Sequence, residues 1–231
     1  MTVVQVKKSG RNGERIVAAI RERVFNWEYP PNHPLGEEVL SQEFGVSRSP
    51  VREALRTLEA EGLVRRVPNR GYFVRQFKTD EISELFVVRL ALEQYAAEYL
   101  ALHPECHGEV RGLERRWVEI KEGVTTPDSM ELARIDESFH TRLVELVGNS
   151  MLLEYLQGIN ARLLVFRSMD FSLVMENGSL QESCQSHIDV VNAILSGNPH
   201  AARDAIRANL ELGRGNVDKA MGLILARTFN S

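Results

Sequence analysis

Apolar residues recur at helical spacing along most of the chain. Ile16, Ile20 and Val24 form one ridge, so Gly13 to Trp27 reads as an amphipathic helix. Leu40 and Phe44, four apart, mark a shorter helix, which Gly45 closes with a positive φ. Val51, Ala54, Leu55 and Leu58 follow the i, i+3, i+4, i+7 rule, and that helix stops at Gly62. The period then changes. Leu63 to Val67 and Tyr72 to Arg75 flank a Pro68-Asn69-Arg70-Gly71 turn, which predicts a two-stranded hairpin. From Thr79 to about Arg227 no strand pattern returns. Residues 79–102, 104–122, 127–147, 150–171, 179–195 and 199–226 read as helices joined by short loops, the pattern of an antiparallel bundle.

The predicted fold is therefore mainly α. Residues 1–77 form a winged helix-turn-helix of three helices plus a small β-hairpin, and residues 78–231 form an all-α helical bundle. The first ten residues read as an arm, whose Lys7 and Lys8 could touch a phosphate backbone. Between Tyr29 and Pro34 three prolines stiffen the connection, and Asn32 tolerates the left-handed turn needed there.

Polar positions add the chemistry. Arg48, Arg52 and Arg56 share a face of the second helix of the helix-turn-helix, at steps of four. Ser47 or Ser49 can cap its start, and Pro50 is tolerated in its first turn. A helix N-terminus favours phosphate, and guanidinium forks suit guanine edges, so Ser47, Arg48, Ser49, Arg52 and Arg56 are expected to meet double-stranded DNA. Asn69, Arg70 and Gly71 at the hairpin tip are expected to join them. Charge agrees: the first 76 residues carry 13 Lys+Arg against 9 Asp+Glu, and the remainder 15 against 23. Two cysteines make no disulfide framework, and neither a leader-like apolar run nor a membrane-length one is present. A cytoplasmic setting, without membrane association, is expected.

In the bundle, polar groups fall on stripes that should be apolar. Asp136 and His140 lie among Leu132, Phe139, Leu143 and Val147. His187 lies among Leu180, Ile188, Val191 and Leu195, and Asn209 among Ala202, Ile206, Leu210 and Val217. Buried polar groups need partners. Either each makes a core hydrogen bond, or all four meet in one cavity around a divalent metal, zinc or another first-row ion. Arg89 interrupts an apolar run with Glu93 four residues on; it pairs with Glu93 or reaches the cavity to hold a ligand carboxylate. Arg162 and Arg167 can add positive charge there. Cys184 reads as a buried structural thiol, Trp27 and Trp117 as packing residues, and His33, His103, His107 and His200 as surface residues.

The stretch GVSRSPVREALRTLEAEGLVRRVPNRGYFV resembles the DNA-binding domain of the GntR family of bacterial transcription regulators. Asn32 stands where that family has a glycine. The helical remainder resembles the FCD domain of the same regulators. The resemblance implies a homodimer on an inverted-repeat operator and a small organic acid effector; Arg89, which the family's Arg-x-x-x-Glu pattern matches, and Arg162, from its place in an apolar helix, are the expected effector-binding residues. It also implies a metal site in which Asp136, His140 and His187 match ligand positions, while Asn209 replaces a histidine. The competing class is a metal-dependent enzyme with an N-terminal interaction module. The sequence shows no nucleophile–base pair, no Glu-x-x-His pair and no phosphate-binding glycine loop to support it.

Overall fold

The computed structural model describes residues 3–25, 28–76, 78–215, 219 and 222. They form two compact units, one before Phe77 and the other from Lys78. Trp27, Phe77 and Val217 lie outside the described residues.

In the first unit the ridge Ile16, Ile20, Val24 is buried in α1 (Val3–Phe25). This helix begins at Val3, where the sequence suggests an arm. The helix-turn-helix is α2 (Glu37–Phe44) and α3 (Arg48–Ala60). Gly45, at φ 63°, makes the turn between them, and Gly62, at φ 72°, ends the second. Val51, Ala54, Leu55 and Leu58 are all buried, which fixes the opposite face of α3 outward.

The hairpin forms from β2 (Val64–Val67) and β3 (Gly71–Val74). The sequence predicts two strands; the described residues form three. β1 (Pro34–Leu35) pairs antiparallel with β3, giving the order β1-β3-β2. Asn32 adopts φ 68° and its backbone N–H donates to Val74 O, which swings the Pro-rich connection onto the free edge of β3.

The second unit is helical. It contains α4 (Thr79–Ala101), α5 (His107–Gly112), α6 (Arg115–Lys121), α7 (Ser129–Glu145), α8 (Ser150–Glu176), α9 (Leu180–Leu195) and α10 (Pro199–Gly215). Two predicted spans differ. The helix expected over 104–122 is a 3-10 turn (Pro104–Cys106) followed by two short helices, because Gly108 and Gly112 weaken a continuous helix. The helix expected to end at Phe171 runs to Glu176, since no breaker occurs before Gly178, at φ 70°. Asp128 caps α7 at Glu131 N, and Asn149 caps α8 at Met151 N and Leu152 N. One core of Leu132, Leu143, Trp117, Val191, Ile206 and their neighbours joins all seven of these helices. No helix of the described residues is long and apolar enough to cross a membrane.

Candidate DNA-binding face and metal centre

The outward face of α3 carries the predicted arginines. Arg48, Ser49, Arg52 and Arg56 are exposed, and Ser47 holds the N-cap position with no side-chain capping bond. The first turn of α2 supplies acids beside them. Glu37 grips Arg52, with Nε 3.1 Å from each carboxylate oxygen and Nη2 2.7 Å from one, and Glu38 lies 3.0 Å from Arg48. Such exposed pairs bind weakly, so both guanidiniums can exchange a carboxylate for a nucleic-acid acceptor. At the hairpin tip Asn69 (φ 59°) and Gly71 (φ 89°) make the turn and leave Arg70 exposed. Arg65 and Arg66, which the sequence reading did not single out, lie nearby in chain order on the hairpin. Both are exposed on β2 beside buried Val64.

In the helical unit, α7 and α9 bring Asp136, His140 and His187 together, all buried. Asp136 Oδ1 lies 3.1 Å from His187 Nε2 and 3.4 Å from His140 Nε2. The other ring nitrogens fix the tautomers. His187 Nδ1 is 2.8 Å from Ser183 O, and His140 Nδ1 meets a carboxylate oxygen of Glu93. Both partners accept, so each Nδ1 donates to its partner and each Nε2 is the nitrogen that faces Asp136. A cation between them would draw on both Nε2 atoms and the carboxylate at once.

The spacing suits a metal. Bonds of ~2.1 Å place neighbouring ligand atoms ~3.0–3.4 Å apart in octahedral or tetrahedral geometry. The three donor atoms all lie within 4.8 Å of one another. One carboxylate and two imidazoles, each imidazole backed by a hydrogen bond at its second nitrogen, form a donor set for zinc or another first-row ion. Burial pushes the His187 imidazole below its usual value, against the pull of Asp136. Burial also opposes charge on Asp136, yet His140 and Arg167 outweigh it and hold that carboxyl well below the usual range.

The cluster lines a cavity of about 170 Å³ together with Arg89 and Arg167. Arg89 pairs with Glu93 at 2.5 Å, so its predicted pairing and its predicted reach into the cavity both occur. Burial works against the Glu93 charge, but Arg89 and His140 overcome it and hold its carboxyl at about 2. Arg167 Nη2 donates to Asn160 Oδ1 at 2.6 Å, and Asn160 donates to Thr141 Oγ at 3.0 Å. Burial, and then the adjacent Arg89 charge, push the Arg167 guanidinium down to about 10. Arg89 Nη2 is 3.7 Å from Asp136 Oδ2, beyond hydrogen-bond reach. Arg167 Nε is 3.3 Å from the same oxygen without hydrogen-bond geometry. Arg89 Nη2, Arg167 Nε and Arg167 Nη1 are therefore buried donors with no hydrogen-bond acceptor among the described residues.

Arg162 does not join them. It is exposed on α8 and does not line the cavity, whereas Arg167 does. Five residues along a helix turn the side chain by about 140°, which carries one arginine inward and the other outward. Asn209 lines the cavity, with Nδ2 donating to Ser186 Oγ at 2.9 Å. Trp117 packs as expected, stacked on the His187 ring at 3.6 Å. Cys184 is buried in the core, outside the convergent donors. His200 is exposed; His33 stacks on Tyr29, and His103 and His107 bond backbone carbonyls, so these three are half-buried rather than free surface residues.

Residues 84–212 match the FCD domain, and residues 12–74 match the gntR family of bacterial regulatory proteins. The chain belongs to the GntR family. This GntR regulator is 30% identical over 214 residues to an uncharacterized HTH-type transcriptional regulator in an unstable DNA locus of Streptomyces ambofaciens, covering 91% of this chain and 87% of that one. It is also 30% identical over 178 residues to a probable D-xylose utilization operon transcriptional repressor of Paenarthrobacter nicotinovorans, covering 77% and 76%. Its fold is similar to that of E. coli McbR/YncC, with a TM-score of 0.66 at 16% identity over 92% of this chain and 98% of that one. The regulator is a DNA-binding transcription factor with an FCD domain and not an enzyme.

Glu93, Arg167, Asn160 and the Ser183–Ser186 pair are the parts of the site that sequence reasoning undervalued. The four-residue spacing of Arg89 and Glu93 pointed to Glu93, and the apolar helix around it pointed to Arg167, while Asn160 and the serines gave no signal.

Proposed function

We propose that this GntR regulator senses a small organic acid at a metal centre and adjusts its operator binding accordingly. Asp136, His140 and His187 hold one divalent ion on one side, leaving positions open to water or an effector oxygen. The ion supplies a Lewis-acidic contact for a carboxylate. Arg89 and Arg167 supply charge-assisted hydrogen bonds to the same group. Glu93 orients His140 and Arg89 together, and Asn160 orients Arg167. The reading rests most on the juxtaposition of the convergent Asp136, His140 and His187 atoms with three guanidinium nitrogens that have no hydrogen-bond acceptor among the described residues. A cation answers the first and an anion the second.

At the operator, Arg48, Arg52 and Arg56 enter the major groove, Ser47 and Ser49 meet the backbone, and Asn69, Arg70 and Gly71 follow the flank. Two copies bind an inverted repeat as a cytoplasmic homodimer. Effector binding then acts through a coupling free energy between the sites.

The test is operator binding by zinc-loaded and chelated protein across a panel of small carboxylates. The reading expects at least one acid to change operator affinity about fivefold or more, and only in the zinc-loaded form. Identical operator binding in every condition would contradict it.

A further inference from the structure

The hydrogen bonds around Asn209 fix which of its amide atoms is left over. Ser186 Oγ donates its single proton to Ser183 O at 2.8 Å. Its contact with Asn209, at 2.9 Å, must then be one in which Ser186 accepts and Asn209 Nδ2 donates. The amide orientation is thus set by the network. Asn209 Oδ1 is left without a partner among the described residues, on a side chain that lines the cavity and is 6% exposed.

The cavity consequently has two walls of opposite character. From α4 and α8 come the guanidinium donors of Arg89 and Arg167, of which Arg89 Nη2, Arg167 Nε and Arg167 Nη1 have no hydrogen-bond acceptor among the described residues. The α9 and α10 side offers an acceptor at Asn209, with Glu182 also lining it, and Asp170 of α8 lines the same space. A ligand matched to both walls carries acceptor oxygens at one end and a proton donor at the other. The volume, about 170 Å³, equals roughly six liquid waters, so the two ends lie close together.

We infer that Asn209 is a specificity-determining residue that accepts a hydrogen bond from a hydroxyl group of the effector, rather than a fourth metal ligand. The effector class is a short hydroxycarboxylate. A neutral hydroxyl suits a neutral amide oxygen, and an ammonium group, which would meet Glu182 and Asp170 as well as Arg89 and Arg167, is the competing donor that the titration separates. The inference rests on the carboxylate-at-metal reading above and adds the second pole of the ligand.

The experiment is calorimetric titration of the zinc-loaded full chain with 2,3-dihydroxypropanoate, propanoate and 2-aminopropanoate, repeated on Asn209→Ala, with zinc content measured on both proteins. The dihydroxy acid is expected to bind the parent at least about tenfold more tightly than propanoate, and more tightly than the amino acid. In Asn209→Ala that ratio falls to near one while zinc content stays unchanged. Equal binding of the hydroxylated and plain acids by the parent would overturn the hydroxyl subsite and leave the carboxylate reading standing. So would tighter binding of the amino acid. Loss of zinc from Asn209→Ala would make Asn209 a ligand and overturn the assignment directly. Failure of all three acids to bind would overturn both readings.

Discussion

His187 Nδ1 lies 2.8 Å from the carbonyl of Ser183, one turn earlier on the same helix, and that bond determines what the opposite nitrogen can do. With Nδ1 protonated, Nε2 is an electron-pair donor 3.1 Å from an oxygen of Asp136. His140 repeats the arrangement through Glu93. Two helices thus aim three donors at one point, and the proposed metal follows from that geometry.

The face of α3 gives the first expectation. Arg52→Ala should cost ~1–3 kcal/mol of operator binding and relax preference at one base pair. Arg48→Ala should weaken binding as well. Binding assays on the operator selected by the parent protein check this, and an undiminished affinity of either variant would remove α3 as the reading helix.

A single winged helix offers few contacts, so the selected site should be an inverted repeat with one half per subunit. Sedimentation of the free protein and of its DNA complex measures this. A monomer in both would contradict it.

Arg89 and Arg167 separate stability from sensing. Arg89→Ala removes a buried partner of Glu93, whose carboxylate is fully buried, and should destabilise the fold by ~3–5 kcal/mol, seen as a fall in Tm. Arg167→Ala should retain zinc and operator binding but weaken carboxylate binding about tenfold or more. An Arg167→Ala protein that still responds to the parent's effector would exclude this arginine from the effector site.

In the first unit, the hydrogen bond from Arg23 holds the Glu43 carboxyl below its ordinary value of 4.5. A depressed folded-state value contributes stability that is present above the unfolded value and is lost as pH falls through the folded one. Glu43→Gln should therefore melt lower than the parent at pH 7, with the gap closing below about pH 4.5 as the parent carboxylate protonates. A gap independent of pH would assign the effect to packing.

These residues differ in how far the sequence revealed them. Arg48, Arg52 and Arg56 could be placed because Val51, Ala54, Leu55 and Leu58 fix the opposite face by periodicity alone. Asp136, His140 and His187 stood out because polar groups interrupted clear apolar stripes. Arg167 stood out only together with Arg162, because α8 is apolar on most sides and its spacing alone selects no inward face. The bond between Glu93 and His140 joins residues far apart in sequence on different helices, so only tertiary packing creates it. β1 is two residues long and exists through its pairing with β3, which no local pattern encodes. The break of the 104–122 helix follows from Gly108 and Gly112, which were legible but underweighted.

The metal itself is the most direct test. Elemental analysis of protein purified without an affinity tag, followed by zinc titration of the chelated form, should find about one divalent ion per subunit, held by Asp136, His140 and His187. Zinc should raise the Tm of the parent, since an ion bound only to the folded state stabilises it. His140→Ala and His187→Ala should lose both the ion and the rise in Tm, and Asn209→His should bind more tightly by adding a fourth imidazole. No ion in the purified protein and no binding at micromolar zinc would contradict the account, and would leave Asp136, His140 and His187 as a hydrogen-bonded pocket without a metal.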